Sequence, residues 1–533
     1  MIPGRRARHT VLHGIALGAS LAGLAGCGGI AVRTAHPPVG PAPSARDTGL
    51  ASLRRNVADL VNAPQFANAH WGVLIVDPVA GDTLVSHNAG KLFLPASNQK
   101  IITGSVALAR LGPDYRFRTQ LVATGPVTNG VLHGDLLVVG RGDPSISDRV
   151  RGDAMLPLRE LADSLAARGV RRVAGRVLKG GDAFPDANYG FGWAWDDFDY
   201  AYSAGIDELF FNDGVTRLTV VAGTTAGAAP TIAQHPARGI VAVKSTAVTV
   251  DAPTPAAGGG DARRLRAELE TTTDTASGAI VVSGTIPVGD SATLVVVHRD
   301  PAGAFLAAQR EALSERGITV EGRTSVAAPA RDVIVATADT LVTLLSPPLR
   351  EIMPYFEKPS QNQIGELLFK TLGLEGTGVG SADSGRRVVE RQLLEWGIDA
   401  QGAVVRDGSG LSRHDYVSPA TLVKVLDVVR RDSALFAAFY PALPIAGVDG
   451  TLASRLRGTL AANNVHAKTG YVDRARSLSG YVTTRDGRML IFSLLANNWT
   501  TPLREVERAQ DEIVARLAAL DLREDGAGTS APR

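Results

Sequence analysis

Residues 95–103 read Pro-Ala-Ser-Asn-Gln-Lys-Ile-Ile-Thr and open a longer stretch, LFLPASNQKIITGSVALARLG (92–112). Its reading decides the fold. Pro95 and Ser97 mark a helix start, Ile102, Val106 and Ala109 recur at helical spacing beside Ile101, Leu108 and Leu111, and Gly112 closes the run. Ser97 therefore stands at a helix N-terminus, with Lys100 one turn on and on the same face. The chain holds eight lysines against forty-seven arginines, so a lysine here is a choice. A serine hydroxyl is a weak nucleophile until a base takes its proton. Lysine can be that base when its environment lowers its pKa, whereas guanidinium stays charged at any working pH. The bland alternative is a surface lysine in a helix's first turn.

Outward from this helix, WGVLIVDPVAGDTLVSHN (71–88) reads as a hairpin. Far downstream, NVHAKTGYV (464–472), SLSGYVTT (477–484) and MLIFSLLANN (489–498) read as three consecutive strands, and 501–520 as an amphipathic helix. Helical patterns also fill PLREIMPYF, NQIGELLFKTLG, RRVVERQLLEWG and PATLVKVLDVVRRD after residue 347. The pattern predicts one α/β (α+β) domain built from both ends of the chain, residues 50–116 and 341–522, with an antiparallel sheet covered by helices. Residues 117–340 carry short β-like runs such as LHGDLLVVG and TRLTVVAG between Gly, Pro and Asp turns, and read as an insertion of one or two mainly-β domains. Within it GFGWAWDDFDYAY (190–202) reads as a loop packed on a core, a sugar-stacking platform being the alternative.

The length of 533 residues fits two or three domains, and the net charge of +2 gives no case for nucleic-acid binding. Arg5, Arg6 and Arg8 precede an apolar stretch ending in Leu24-Ala25-Gly26-Cys27, which resembles a bacterial lipobox. On this reading residues 1–27 are a lipoprotein signal, and an acylated Cys27 holds an exported chain on a membrane, in the cell envelope or periplasm. A plain secretory signal with a chance cysteine is the alternative. Cys27 is the sole cysteine, so no intramolecular disulfide exists. Residues 28–49, rich in Pro, Ala and Gly, read as a tether, and 523–533 as a disordered tail.

Two further stretches change the weight of Ser97 and Lys100. Ser360-Gln361-Asn362 precedes a helical pattern, where a cap is the plain reading, and Lys468-Thr469-Gly470 lies on an apolar strand. Together they add a second hydroxyl with an amide, and a cation beside a strand whose glycine permits close approach of a ligand. The order SxxK, SxN, KTG is that of the serine penicillin-recognising enzymes. The chain resembles the class C low-molecular-mass penicillin-binding proteins, the D-alanyl-D-alanine carboxypeptidases/endopeptidases. Besides the three motifs the resemblance rests on GRGDPSIS (140–147), GWAWDD (192–197), DGSGLSR (407–413) and GVDGTL (447–452). Ser360 follows Ser97 by 263 positions, a gap that fits the extra domains this family carries between the motifs.

The resemblance implies a penicillin-binding/transpeptidase-like domain and a serine carboxypeptidase acting on peptidoglycan stem peptides and acylated by β-lactams. It implies that Ser97 attacks the carbonyl between two D-alanines and that Lys100 takes its proton. Ser360 and Lys468 would relay a proton to the departing D-alanine, Asn362 would meet the substrate amide, and Thr469 the terminal carboxylate. The N–H groups of Ser97 and Tyr471 would form the oxyanion hole beside Gly470. Tyr471 departs from the family's usual Thr or Ser, which puts substrate preference in question. His466 reads as a structural strand residue. A β-lactamase, or a wall-binding lipoprotein with a vestigial site, are the competing functions; no Glu-x-x-x-Asn element stands between SxxK and SxN to activate a deacylating water. No cofactor or metal is expected, since the histidines lack ligand spacing, and nothing in the sequence fixes an oligomeric state.

Overall fold

The computed structural model describes residues 49–252, 267–274, 276–324 and 339–523. Cys27, the signal segment, the tether up to residue 48 and the tail beyond 523 lie outside the described residues.

The sheet at the centre is five-stranded and antiparallel, in the order Asp82–His87, His70–Asp77, Met489–Asn497, Ala475–Thr483, His466–Val472. The N-terminal hairpin is thus zipped to the C-terminal strands, with Val73 opposite Leu494 and Ile75 opposite Phe492. Both faces are covered, which is why MLIFSLLAN reads as a nearly unbroken apolar run. Leu490, Phe492, Leu494 and Ala496 face one core, shared with Leu53, Val57 and Val61 of the helix Leu50–Val61 and with Ile513, Val514 and Leu517 of the helix Leu503–Ala519. Ile491 and Leu495 face the other core. The helix Gln99–Leu111 is preceded by a single 3-10 turn, Ala96–Asn98. It sits in that second core, where Ile102 and Val106 meet Ile352, Phe356, Leu368 and Leu422 from the helices after residue 347.

Two large hydrophobic clusters lie in the described residues of the intervening part. One gathers Leu121, Leu136, Leu158, Leu161, Leu165, Phe305, Leu306 and Leu313; the other gathers Leu218, Val220, Ile280, Val282, Ile286 and Val296. The first cluster includes two helices, Met155–Ala167 and Pro301–Glu315, that a mainly-β reading passes over. Their helical spacing is present in LPLRELADSLAA, with Leu158, Leu161, Ala162 and Leu165 buried three to four residues apart. The entering and leaving chains run side by side, since Arg118–Ala123 pairs antiparallel with Asp339–Leu345.

Candidate active site

The strand His466–Val472 is the sheet's edge, and it is seated against the turn that opens the helix Gln99–Leu111. The Asn98 side-chain amide donates to the Lys468 carbonyl at 2.9 Å, and the Ser477 hydroxyl donates to the Pro95 carbonyl at 2.6 Å. A Cβ on Gly470 would stand 2.7 Å from the Pro95 carbonyl oxygen and 2.8 Å from the Ser97 nitrogen. Only glycine lets strand and helix start approach this closely. The turn itself is strained: Ala96, just before Ser97, has φ +47°. Its carbonyl oxygen lies where a side chain on Gly410 would be, so Gly410, at φ +80°, has to be glycine for two reasons.

Lys100 is fully buried, and its ammonium has three neighbours within hydrogen-bond reach. Nζ donates to Ser97 Oγ at 2.8 Å, to Asn362 Oδ1 at 2.7 Å and to the Ser409 carbonyl at 2.7 Å. Two of these partners are carbonyl oxygens that can only accept. When Lys100 loses its proton, its two remaining N–H bonds satisfy those oxygens. Its lone pair is then directed at Ser97 Oγ, which can only donate to it. The arrangement therefore selects the serine as the proton's source. Burial pushes the Lys100 ammonium down to about 8, against the opposing charges of Asp407, Glu357, Glu366 and Asp415. About one molecule in ten is then neutral at pH 7, against about one in 2,500 for an ordinary lysine.

The carbonyl of Ser409 is held by a buried scaffold. Asp407 accepts from the backbone N–H groups of Ser409, Gly410 and Ser412, and Glu366 accepts from those of Gly408 and Ser409. Asp407 also accepts from the indole of Trp193 at 2.9 Å. Burial first, then the Asp407 charge, pushes the carboxyls of Glu366 and Asp415 up. The aromatic loop thus does pack on the site, through buried Trp193, while Trp195 in the same loop is 83 % exposed. The loop also accepts from Asn362 Nδ2 through Tyr202 O at 2.8 Å, and from Gln363 through Ala201 O. Both ends of the Asn362 amide are therefore engaged.

Lys468 is fully buried and its Nζ donates to the Thr469 carbonyl at 3.1 Å. Burial, then the Lys100 charge, lowers its pKa. Ser360 has φ +62° in the turn between the helices Leu349–Glu357 and Asn362–Thr377, with Gln361 rather than Ser360 supplying the cap to Ile364 N–H. Among the described residues the Ser360 hydroxyl makes no hydrogen bond. The Thr469 hydroxyl donates to that of Thr451 at 2.7 Å, which ties Thr451, from GVDGTL, to the edge strand. Tyr471 projects outward, about half exposed. His466 stacks on Tyr440 with ring centroids 4.0 Å apart, away from this chemistry.

The chain as a whole has relatives among known proteins. A family profile described as "D-Ala-D-Ala carboxypeptidase 3 (S13) family" matches residues 53–520. The chain belongs to that family. It is 35 % identical over 499 residues to a D-alanyl-D-alanine carboxypeptidase from Actinomadura sp., covering 91 % of this chain and 87 % of the relative. It is 27 % identical over 455 residues to D-alanyl-D-alanine carboxypeptidase DacB from Haemophilus influenzae, covering 84 % and 89 %. The crystal structure of penicillin binding protein 4 from that organism superposes with a TM-score of 0.71 at 25 % identity, covering 85 % of this chain and 98 % of that one. Sequence reasoning singled out Ser97, Lys100, Asn362 and Lys468 but missed Glu366, Asp407, Ser409 and Thr451, which hold their surroundings. The DGSG and GVDGTL stretches that hold three of them were legible; their buried bonding was not.

Proposed function

We propose that this serine D-Ala-D-Ala carboxypeptidase works through an acyl-enzyme on Ser97, formed with peptidoglycan stem peptides and, in the same way, with β-lactams. The observation that carries the reading is the three-partner environment of Lys100, whose neutral lone pair has Ser97 as its only donor. Lys100 takes the Ser97 proton as Oγ attacks the carbonyl of the penultimate D-alanine. The Ser97 and Tyr471 N–H groups face the resulting oxyanion, a role worth about 10²–10³ in rate per donor. As the tetrahedral species collapses, a proton passes by way of Ser360 and Lys468 to the departing D-alanine amine. Thr469, with Thr451 behind it and charged Lys468 beside it, meets the terminal carboxylate. Asn362 holds Lys100 and the substrate amide side. Water then attacks the acyl-Ser97 ester and frees the shortened peptide.

The catalytic unit on this reading comprises residues 50–116 and 341–522, and the rest between them is the insertion. The N-terminal lipobox supports export and membrane attachment through Cys27; among the described residues no helix is long and apolar enough to cross a membrane. The test of the chemistry is peptide mapping after treatment with penicillin, together with D-alanine release from a pentapeptide ending D-Ala-D-Ala. The penicilloyl mass should sit on the Ser97 peptide, and Ser97→Ala should abolish both signals. Rapid penicillin turnover instead of a stable adduct would mean a β-lactamase. Cross-linked muropeptides, read by product mass, show whether cross-links are cut as well.

A further inference from the structure

The stretch GVDGTL (447–452) is tied to the turn that carries Ser360. The Thr451 N–H donates to the Lys358 carbonyl at 3.0 Å. Gly450, at φ +56°, lies so near that a Cβ there would stand 2.6 Å from the same oxygen, so only glycine lets the two turns meet. The Lys358 side chain closes the contact: Nζ donates to Asp449 Oδ2 at 2.6 Å and to the Leu443 carbonyl at 3.0 Å. The other Asp449 oxygen accepts from the Ile445 N–H at 2.9 Å, which braces the turn from inside.

The same turn is fastened to the edge strand. Ile445 bridges His466, the Ala446 N–H donates to the Val465 carbonyl, and the Ala467 N–H donates to the Pro444 carbonyl, both at 3.0 Å. Further along that strand the Thr469 hydroxyl donates to that of Thr451. The contacts form a closed ring: from Lys358 through Asp449 to the edge strand, along it to Thr469, and back through Thr451 to the Lys358 carbonyl. Ser360 stands two residues after Lys358, at φ +62°, and among the described residues its hydroxyl makes no hydrogen bond. Its place is therefore set by its turn, and Lys358–Asp449 is the ion pair that links this turn to the strand. Both side chains are partly exposed, and such a pair contributes little to stability. What it supplies is geometry.

Resting on the reading of Ser97, Ser360 and Thr469 above, we propose that Lys358 and Asp449 are a positioning pair for the leaving group, holding the Ser360 turn and Thr469 at one spacing. The departing D-alanine carries its amine and its carboxylate on a single carbon. The group that passes a proton to the amine and the group that meets the carboxylate must therefore keep a fixed separation, although they come from distant segments of the chain. A misplacement of about 1 Å at such a point costs up to about 10²-fold in rate. The acyl part of the substrate, which stays on Ser97, makes no such demand on this pair.

The test compares two substrates that leave the same acyl group on Ser97. One is a pentapeptide ending D-Ala-D-Ala; the other is the ethyl thioester of the tetrapeptide ending in the first of those D-alanines. Ethanethiol departs as a thiolate that needs no delivered proton, and it has no carboxylate. For both substrates kcat/KM reports acylation. In Lys358→Met, on the full chain, kcat/KM for D-alanine release should fall by about tenfold or more, while the thioester stays within about twofold of wild type. Lys358→Arg, which keeps a cation for Asp449, should recover part of the loss. Equal losses on both substrates would mean a purely structural role and would overturn the proposal, as would no loss on either. Asp449→Asn is the second variant: it keeps an acceptor for the Ile445 N–H, removes the charge, and should shift the ratio of the two kcat/KM values the same way by less. If Lys358→Met does not fold, an unmoved ratio in Asp449→Asn overturns the proposal by itself. Wild type that cleaves neither substrate, or Ser97→Ala that cleaves either, would instead sink the Ser97 reading.

Discussion

Asn362→Asp is a nearly isosteric change that puts a carboxylate where Lys100 now meets a neutral amide oxygen at 2.7 Å. The bond itself survives, because the aspartate oxygen accepts as the amide oxygen did. What changes is charge, at a lysine that is fully buried. An opposite charge at such distances favours the charged form by about one to three pKa units. Burial holds Lys100 at about 8 in the native protein, so it would rise to an ordinary lysine's range or beyond. The direction then follows: a raised pKa means the neutral form appears only at higher pH. At pH 7 the neutral fraction falls from about one in ten by a further factor of roughly 10 to 10³, and acylation falls with it. The second carboxylate oxygen faces the Tyr202 carbonyl, which loses its donor, at a cost of about 1 kcal/mol in stability. The assay is stopped-flow acylation by a chromogenic cephalosporin or fluorescent penicillin between pH 5 and 10, with circular dichroism to confirm folding. The acid limb should move up by the same one to three units, and much of the rate should return at high pH. A folded variant whose profile superposes on wild type after scaling would refute Lys100 as the proton acceptor.

Three other changes probe separate links. Lys100→Arg keeps the charge but removes the amine that can go neutral beside Ser97, so acylation should drop by about 10²-fold or more at every pH, measured by gel labelling of folded protein. Gly470→Ala places a methyl against the Ser477 hydroxyl, the Pro95 carbonyl and the Ser97 nitrogen, two of them backbone; it should lower stability by about 1–3 kcal/mol in a denaturant titration and slow acylation by displacing the oxyanion donor. Tyr471→Thr keeps the backbone N–H and restores a compact hydroxyl, so acylation by common β-lactams should accelerate; an unchanged or slower rate would assign the tyrosine a binding role of its own.

How much of this was legible in the sequence depended on how local the cause is. The turn and helix that carry Ser97 and Lys100 declare themselves through Pro95, the apolar spacing and Gly112, all within one stretch, the 3-10 turn Ala96–Asn98 leading into the helix Gln99–Leu111. The three C-terminal strands are likewise local patterns. The helices Met155–Ala167 and Pro301–Glu315 carry the same kind of pattern, yet they lie among many short strands that dominate the region's composition. Glu357, Glu366, Asp407 and Asp415 were illegible for a different reason. A carboxylate in a polar-looking segment such as PYFEKPS reads as a surface residue, because its burial depends on elements hundreds of positions away. Only the assembled core shows that four acidic side chains are buried and act electrostatically on one lysine.

That assembly also explains why the insertion cannot be treated as an appendage to a self-sufficient site. The two contacts that immobilise Lys100 from outside its own helix are Asn362 Oδ1 and the Ser409 carbonyl. The first belongs to an amide whose other end is held by Tyr202 of the aromatic loop. The second belongs to a turn organised by Asp407, which the indole of Trp193 in the same loop also engages. Each of the two acceptors that leave Ser97 as the sole donor to Lys100 is therefore fixed, one residue removed, by the inserted part. The Trp193 indole donates to a buried carboxylate, so its loss leaves an acceptor without its partner and loosens the Ser409 turn. On the proposed reading the reacting groups sit on the helix start and the edge strand, while the two acceptors that orient Lys100 are held from the aromatic loop.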